Sequence, residues 1–279
     1  MRVTVARSVA EALADPEATF IAGGTDLMVA INFGRERPPH VVSIRGLPEL
    51  EEMVVDGRVV CGGGVTYTRL IEALGASNRA MVEAARTVGS PQIRNAGTIG
   101  GNLGTCSPAG DTLPVLAALD ATIRLRSPEG SRTVPFSGFM FGPRKSERKP
   151  GELVEAVEWD DAGPSQVFLK AGTRNAMVIA VASLAMVVDR RRGAVRVALG
   201  SVGPTILRAP AAEKLAAGLF EDSGWERPLR ASEAAIAEFG ELVAAAARPI
   251  DDQRGTAAYR RNVVAVMARR ALARTGAAA

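Results

Sequence analysis

The stretch Asn95–Pro114, NAGTIGGNLGTCSPAGDTLP, holds five glycines, several small hydroxyl side chains and one carboxylate. That composition belongs to a solvent-exposed linker, yet the segments on both sides, RAMVEAARTV (79–88) and TLPVLAALD (112–120), read as helices. A polar, glycine-rich loop between ordered elements is where backbone N–H groups can meet a ligand. An earlier stretch, IAGGTDLM (21–28), has the same character. There a buried strand runs into two glycines and opens a helix, which aims free N–H groups at one point. Taken alone it is either an anion site or a tight turn between strand and helix.

The bulk numbers narrow the field. A length of 279 residues favours two domains over one, and 47% apolar with 23% charged residues is an ordinary globular composition. No apolar run is long enough to span a bilayer, and MRVTVARSVAEALADPEATF lacks a signal-peptide core, so a cytoplasmic location is expected. Cys61 and Cys106 are too few for a four-thiolate iron–sulfur cluster or a thiolate-rich zinc site, and they give no disulfide framework. The formal charge of +4 raises the question of nucleic acid, but the basic residues are dispersed and aromatics are only 4%. The single histidine, His40, makes neither a zinc triad nor a hydrolase centre and reads as structural. No metal-binding residue is expected.

The order of elements points to an α+β chain. SVAEALA (8–14) reads as a helix capped by Ser8; TFIA (19–22), LMVAINFG and HVVSI (40–44) make a small βαβ unit. Asp56-Gly57 between two apolar runs signals a hairpin. ATIRLRS, SRTVPFS and ELVEAVEW supply antiparallel strands, with GFMFGPRKSERKPG between them as a loop. DDAGPS (160–165) is the best domain boundary, giving a domain over 1–162, with subdomains of about 1–52 and 53–162, and a second over 163–279. Beyond it come three strands, two of them joined by RRRG, and helices near 210–218, 229–247 and 255–274.

CGGGVT (61–66) and GGTD both lack the G-x-G-x-x-G spacing of a dinucleotide fold and read differently, the first as a strand end. TIGGN, however, adds a second expected cluster of exposed N–H groups, with Thr98 and Asn102 as hydrogen-bonding side chains. Two glycine-rich anion sites suggest one ligand with two phosphates, hence a dinucleotide. Asp111 would repel a diphosphate, so it belongs on hydroxyl or N–H groups of the ligand, or serves as a plain N-cap.

The pair AGGTDLM (22–28) and NAGTIGGNLGTCSPAGDTLPVLAALDA (95–121) resembles the FAD-binding subunit of the molybdenum hydroxylases. That family includes the medium subunits of carbon monoxide dehydrogenase and of bacterial xanthine dehydrogenase-like enzymes. FGPRKSERKPGELV (141–154), LKAGTRNAMVIAVAS (169–183), LGSVGPTILRAPAAEKL (199–215) and DDQRGTAAYRRNVVAVMARRAL (251–272) match further family segments in order. The resemblance implies that Ile21, Ala22, Gly23, Gly24, Thr25, Asp26 and Leu27 cradle the FAD diphosphate from the N-terminal subdomain. It implies that Thr98, Gly100, Gly101 and Asn102 hold it from the second, with Asp111 beside them. Val154 would offer a backbone contact to the flavin ring, and Lys170 a cation near its pyrimidine end. Val88 stands where animal xanthine dehydrogenases place a phenylalanine, and Gly-Gly-Thr-Asp replaces the Gly-Gly-His-Ser of carbon monoxide dehydrogenases. The missing histidine implies non-covalent FAD.

The function so implied is an electron relay, with no residue of the chain acting as a general acid or base. Molybdenum cofactor and 2Fe-2S clusters would lie in partner chains, a large molybdopterin-binding subunit and a small iron–sulfur subunit, in a dimer of heterotrimers. NAD, oxygen or another acceptor would take the electrons. The alternative is a self-contained flavin-dependent oxidoreductase acting on a small organic substrate. The C-terminal helix carries Arg260, Arg261, Arg269, Arg270 and Arg274 with no acidic residue, a one-signed face suited to an acidic partner or simply to solvent. Cys106 is either close to the flavin or an inert small residue.

Overall fold

The computed structural model describes residues 1–277. Contacts divide the chain into two compact units: Met1–Leu70, Ser90–Ser107 and Asp120–Asp160 form the first, and Ile71–Gly89, Pro108–Leu119 and Asp161–Ala279 the second. The last crossing between the units falls at Asp160–Asp161. Nothing in the sequence pattern marks the two earlier excursions.

The first unit opens with β1 (Arg2–Val5), α1 (Val9–Ala12), β2 (Thr19–Ile21), α2 (Leu27–Asn32) and β3 (His40–Ser43). Its three strands form a parallel sheet in the order β1-β3-β2, with α2 as the crossover between β2 and β3. Ser8 caps α1 by accepting from the Glu11 N–H, as expected. β1 is not legible in the sequence, because only Thr4 is even half-buried and no apolar face alternates along it. His40 is structural: Nδ1 lies 2.6 Å from Asp15 Oδ2 and Nε2 lies 2.9 Å from Thr4 Oγ1.

After α3 (Pro48–Glu51), β4 (Met53–Asp56) and β5 (Arg58–Gly62) form the expected hairpin, turned at Gly57 with φ 63°. The helices α4 (Tyr67–Ala73), α5 (Arg79–Thr87), α6 (Pro91–Ala96), α7 (Ile99–Thr105) and α8 (Thr112–Ala118) follow. β6 (Thr122–Ser127), β7 (Gly130–Pro135), β8 (Met140–Gly142), β9 (Lys145–Ser146) and β10 (Leu153–Asp160) complete the unit. The main sheet is antiparallel in the order β4-β5-β10-β6-β7. On it Glu158 sits between Arg58 and Arg124 and pairs with both. The segment expected as a loop over 138–151 in fact contains the β8–β9 hairpin. Two strands this short leave no alternation to read.

In the second unit β11 (Gln166–Ala171), β12 (Ala182–Asp189), β13 (Ala194–Gly200) and the short β14 (Leu207–Arg208) make an antiparallel sheet. Every residue of β12 is buried. Met186, Val188 and Val197 share a core with Phe220, Phe239, Val264 and Leu272, contributed by α9 (Pro210–Ser223), α10 (Glu233–Ala246) and α11 (Ala257–Gly276). α5 and α8 also belong to this unit. Glu83 on α5 accepts from the Phe168 N–H at 2.8 Å, and Arg208 donates to the Ala117 carbonyl at 3.1 Å.

The basic stripe expected along α11 is smaller than its sequence. Arg260 is 2% exposed and donates to the carbonyls of Val181 and Ser201 and to Asp252, while Arg274 pairs with Glu83 at 2.6 Å. Desolvation pushes the Asp252 carboxyl up, but the Arg254 N–H and the guanidinium groups of Arg254 and Arg260 hold it at about 2. A depressed folded value stabilises the native state above the ordinary 3.8, and that contribution is lost as pH falls toward about 2. Asp252→Asn is therefore expected to lower the urea midpoint near neutral pH and to flatten the acid limb of the stability curve in that window. Superimposable acid limbs for variant and wild type would contradict the assignment.

Candidate functional site

β2 ends at Ile21 and α2 begins at Leu27, so Ala22–Asp26 is the connection that the sequence singles out. Gly24 has φ 69°, a conformation that favours glycine. At Gly23 the demand is spatial: an added Cβ would stand 1.8 Å from the Ala96 carbonyl oxygen and 2.9 Å from the Gly97 nitrogen. The loop thus lies directly against the turn between α6 and α7. A Cβ on Gly97 would in turn meet Thr25 Oγ1 at 3.3 Å, and Thr105 donates to Asp26 Oδ2 at 3.3 Å. The two glycine-rich motifs, more than seventy residues apart in sequence, form one surface. Among the described residues, the N–H groups of Gly23, Gly24, Thr25, Asp26 and Leu27 meet no acceptor. Five consecutive free donors make a cradle for an anion. The carboxylate within the run, Asp26, accepts from Thr105 and lies 3.5 Å from Arg144.

The Asn95–Pro114 stretch is not the open loop its composition suggests. Ser90 caps α6, and Thr98 caps α7, whose first turns contain Gly100 and Gly101. Four of the five N–H groups expected to be exposed are engaged: Ile99 donates to Val65 O, Gly100 to Gly63 O, Gly101 to Thr98 Oγ1 and Asn102 to Thr98 O, at 2.9 to 3.0 Å. Glycine serves close packing here. A Cβ on Gly100 would fall 2.4 Å from the Gly63 carbonyl oxygen, and one on Gly63 would fall 2.1 Å from that of Val154. The end of β5, the bulge of β10 after Val154 and the start of α7 therefore stack backbone on backbone. Cys106 closes α7 with φ 52°, its thiol donates to the Lys145 carbonyl at 3.4 Å, and burial pushes its pKa up to about 11. A thiol held in this way is little ionised near neutral pH.

Next to Ala22 a cavity of about 210 Å³ is lined by Ile44, Arg45, Glu51, Thr66, Asn95 and Thr98, among others. Arg45, Glu51, Thr66 and Asn95 are absent from the sequence-predicted site. The signal that points to them is topological: ligands of parallel sheets bind beyond the carboxyl ends of the strands, and Ala22 and Ile44 follow β2 and β3.

In the second unit, Lys170 Nζ lies 2.5 Å from Asp111 Oδ2 and donates to the Thr87 carbonyl at 3.2 Å; Thr87 Oγ1 also donates to Asp111 Oδ2 at 3.1 Å. Both charged side chains are less than a tenth exposed. Asp111 precedes α8 but makes no capping bond, which corrects the N-cap expectation. Desolvation pushes its carboxyl up, against the opposing effects of Lys170 and Thr87, and its Oδ1 is buried without a hydrogen bond. Val88, the residue after α5, is extended.

Comparison with known proteins shows the family of this fold. Residues 1–159 match the family model for the FAD binding domain in molybdopterin dehydrogenase, and residues 167–275 that for the CO dehydrogenase flavoprotein C-terminal domain. The chain belongs to this family of FAD-binding oxidoreductase subunits. It is 30% identical to the carbon monoxide dehydrogenase medium chain of Hydrogenophaga pseudoflava, over 95% of this chain and 93% of that one. It is 33% identical to the xanthine dehydrogenase FAD-binding subunit of Escherichia coli O157:H7, over 73% and 74%. The nicotinate dehydrogenase FAD-subunit of Eubacterium barkeri is 38% identical, but the match spans only 60% of this chain and 59% of that one. Among solved structures, reconstituted CO dehydrogenase from Oligotropha carboxidovorans superposes with a TM-score of 0.87 at 27% identity, covering 100% of this chain and 98% of that one.

Two consequences are measurable. Gly23→Ala forces the cradle away from Ala96 and is expected to weaken FAD binding by about tenfold or more in a fluorescence titration. Gly104→Ala, where an added Cβ meets nothing within 4 Å, is expected to leave binding unchanged. Lys170→Met leaves Asp111 buried and unpaired and is expected to cost about 3–5 kcal/mol in urea unfolding. The double variant Lys170→Met/Asp111→Leu should recover most of that loss; equal losses in both variants would mean the pair is not the source.

Proposed function

We propose that this chain is the FAD-carrying electron-transfer subunit of a molybdenum hydroxylase. The observation that carries the reading is the run of five free N–H groups from Gly23 to Leu27, placed where glycine alone fits. These donors suit a diphosphate, and the engagement of Asp26 by Thr105 and Arg144 turns its carboxylate to protein partners. Ile21 and Ala22 form the approach to the cradle, and the cavity beside Ala22 offers room for the nucleotide end. Thr98, Gly100, Gly101 and Asn102 give the second wall its shape, since the N–H groups of the last three already have protein partners. Val154 carries the bulged backbone proposed to face the flavin ring.

Val88, Asp111 and Lys170 complete the proposed set. Lys170 supplies a cation that favours an anionic reduced flavin, and Asp111 orients it while offsetting part of its charge. Bound non-covalently, FAD supplies the redox chemistry; the chain binds it and excludes water. Among the described residues no group of three or more His, Cys, Asp or Glu could hold a metal ion, and no helix is long and apolar enough to cross a membrane. Relatives named as medium chains and FAD-subunits support large molybdopterin-binding and small iron–sulfur partners, which we place in a dimer of heterotrimers in the cytoplasm. NAD, oxygen or another acceptor receives the electrons.

The test is purification after co-expression with the neighbouring large and small chains. The expected product is a yellow complex whose FAD is released by acid. A colourless chain that cannot be reconstituted with FAD would contradict the proposal.

A further inference from the structure

α2 presents an uncovered apolar side. Of its six residues only Ala30 is buried, while Met28 and Val29 are 38% and 47% exposed, and Phe33 just beyond it is 71% exposed. The β8–β9 hairpin adds Phe141, 63% exposed. These two are the exposed members of a set of eight phenylalanines. Arg144, in the turn of the hairpin, holds both elements to the same side: it donates to Glu36 at 2.7 Å and lies 3.5 Å from Asp26, on either side of α2. The Arg144 N–H also donates to the Cys106 carbonyl, which fastens the hairpin to the end of α7. Exposed apolar surface with aromatic and arginine side chains is the composition of a protein interface.

The rim carries an excess of cations. Arg144 pairs with Asp26 and Glu36, one cation between two carboxylates, while Arg35, Arg37 and Lys145 stand exposed, with the Arg35 guanidinium 5.4 Å from the centre of the Phe33 ring. A two-fold contact between copies of this chain would set these cations against themselves. The surface also begins where the cradle ends, at Leu27, and Thr105 of α7 bonds to Asp26 between them. We propose that the α2 and β8–β9 face docks the electron-donating partner chain, a protein presenting an apolar patch bordered by carboxylates. This rests on the reading of the chain as an electron-transfer subunit. The location brings the partner's redox centre to the edge of the cofactor cradle.

The experiment uses the full chain, co-expressed with the large molybdenum-binding and small iron–sulfur chains, as Phe33→Asp/Phe141→Asp and separately as Arg35→Glu/Arg37→Glu. Both are exposed positions outside the cradle, so each variant should keep the wild-type FAD-to-protein ratio and unfolding midpoint. Co-purification of the partners should fall by about tenfold or more for the phenylalanine variant. It should fall for the charge-reversed variant with a deficit that shrinks at high salt. Undiminished co-purification by the FAD-loaded phenylalanine variant would overturn the proposal. So would a wild-type homodimer that this variant dissolves while partner binding persists. A wild-type chain that assembles without FAD would instead overturn the electron-transfer reading, and with it the electron-donating character of the partner.

Discussion

The contact on which the first unit depends is between two backbones. At Gly23 the chain passes so close to Ala96 that a single added carbon would lie 1.8 Å from its carbonyl oxygen. That approach joins the βα turn of the small parallel sheet to the turn between α6 and α7, and leaves the N–H groups of Gly23–Leu27 pointing away without partners. Gly63 and Gly100 repeat the device one layer further, against Val154 and Gly63 respectively. Side-chain packing then supports what the backbones define: Leu47, Leu50 and Leu153 share a core with Ala12, Val42 and Ile44.

Much of the architecture was legible because the local signals were strong. Ser8 before an apolar helix, Asp56-Gly57 between β-branched runs, and alternating ATIRLRS each specify one conformation. The glycine-rich run was misread in part, for a physical reason. Composition reports that glycine is present, but glycine can serve flexibility or close approach, and only the neighbour's position decides which. Thr98 was recognised as a hydrogen-bonding residue, yet its hydroxyl caps the Gly101 N–H within its own helix. Asp111 stands at a helix start and reads as an N-cap, but Lys170, 59 residues later, takes its carboxylate. Arg260 reads as part of a basic stripe, but Val181 and Ser201, distant in sequence, and the nearer Asp252 take its guanidinium.

The second unit solves a different problem. Its sheet is covered by helices, so β12 is buried along its whole length and polar groups there must find internal partners. Asp111 and Lys170 satisfy each other only partly, since Asp111 Oδ1 remains without a hydrogen bond. A buried carboxylate oxygen left unpaired in this way is costly for folding, and Gln166 Oε1, Ser201 Oγ and Arg260 Nε of the same unit share that condition.

Amide hydrogen–deuterium exchange on the chain with and without FAD tests the cradle most directly. The free donors of Gly23–Leu27 should exchange rapidly in the FAD-free chain and become protected when FAD is added. Ile99–Asn102, already bonded within the protein, should be protected in both states and change little. Protection appearing at Ile99–Asn102 while Gly23–Leu27 stays unchanged would contradict the account.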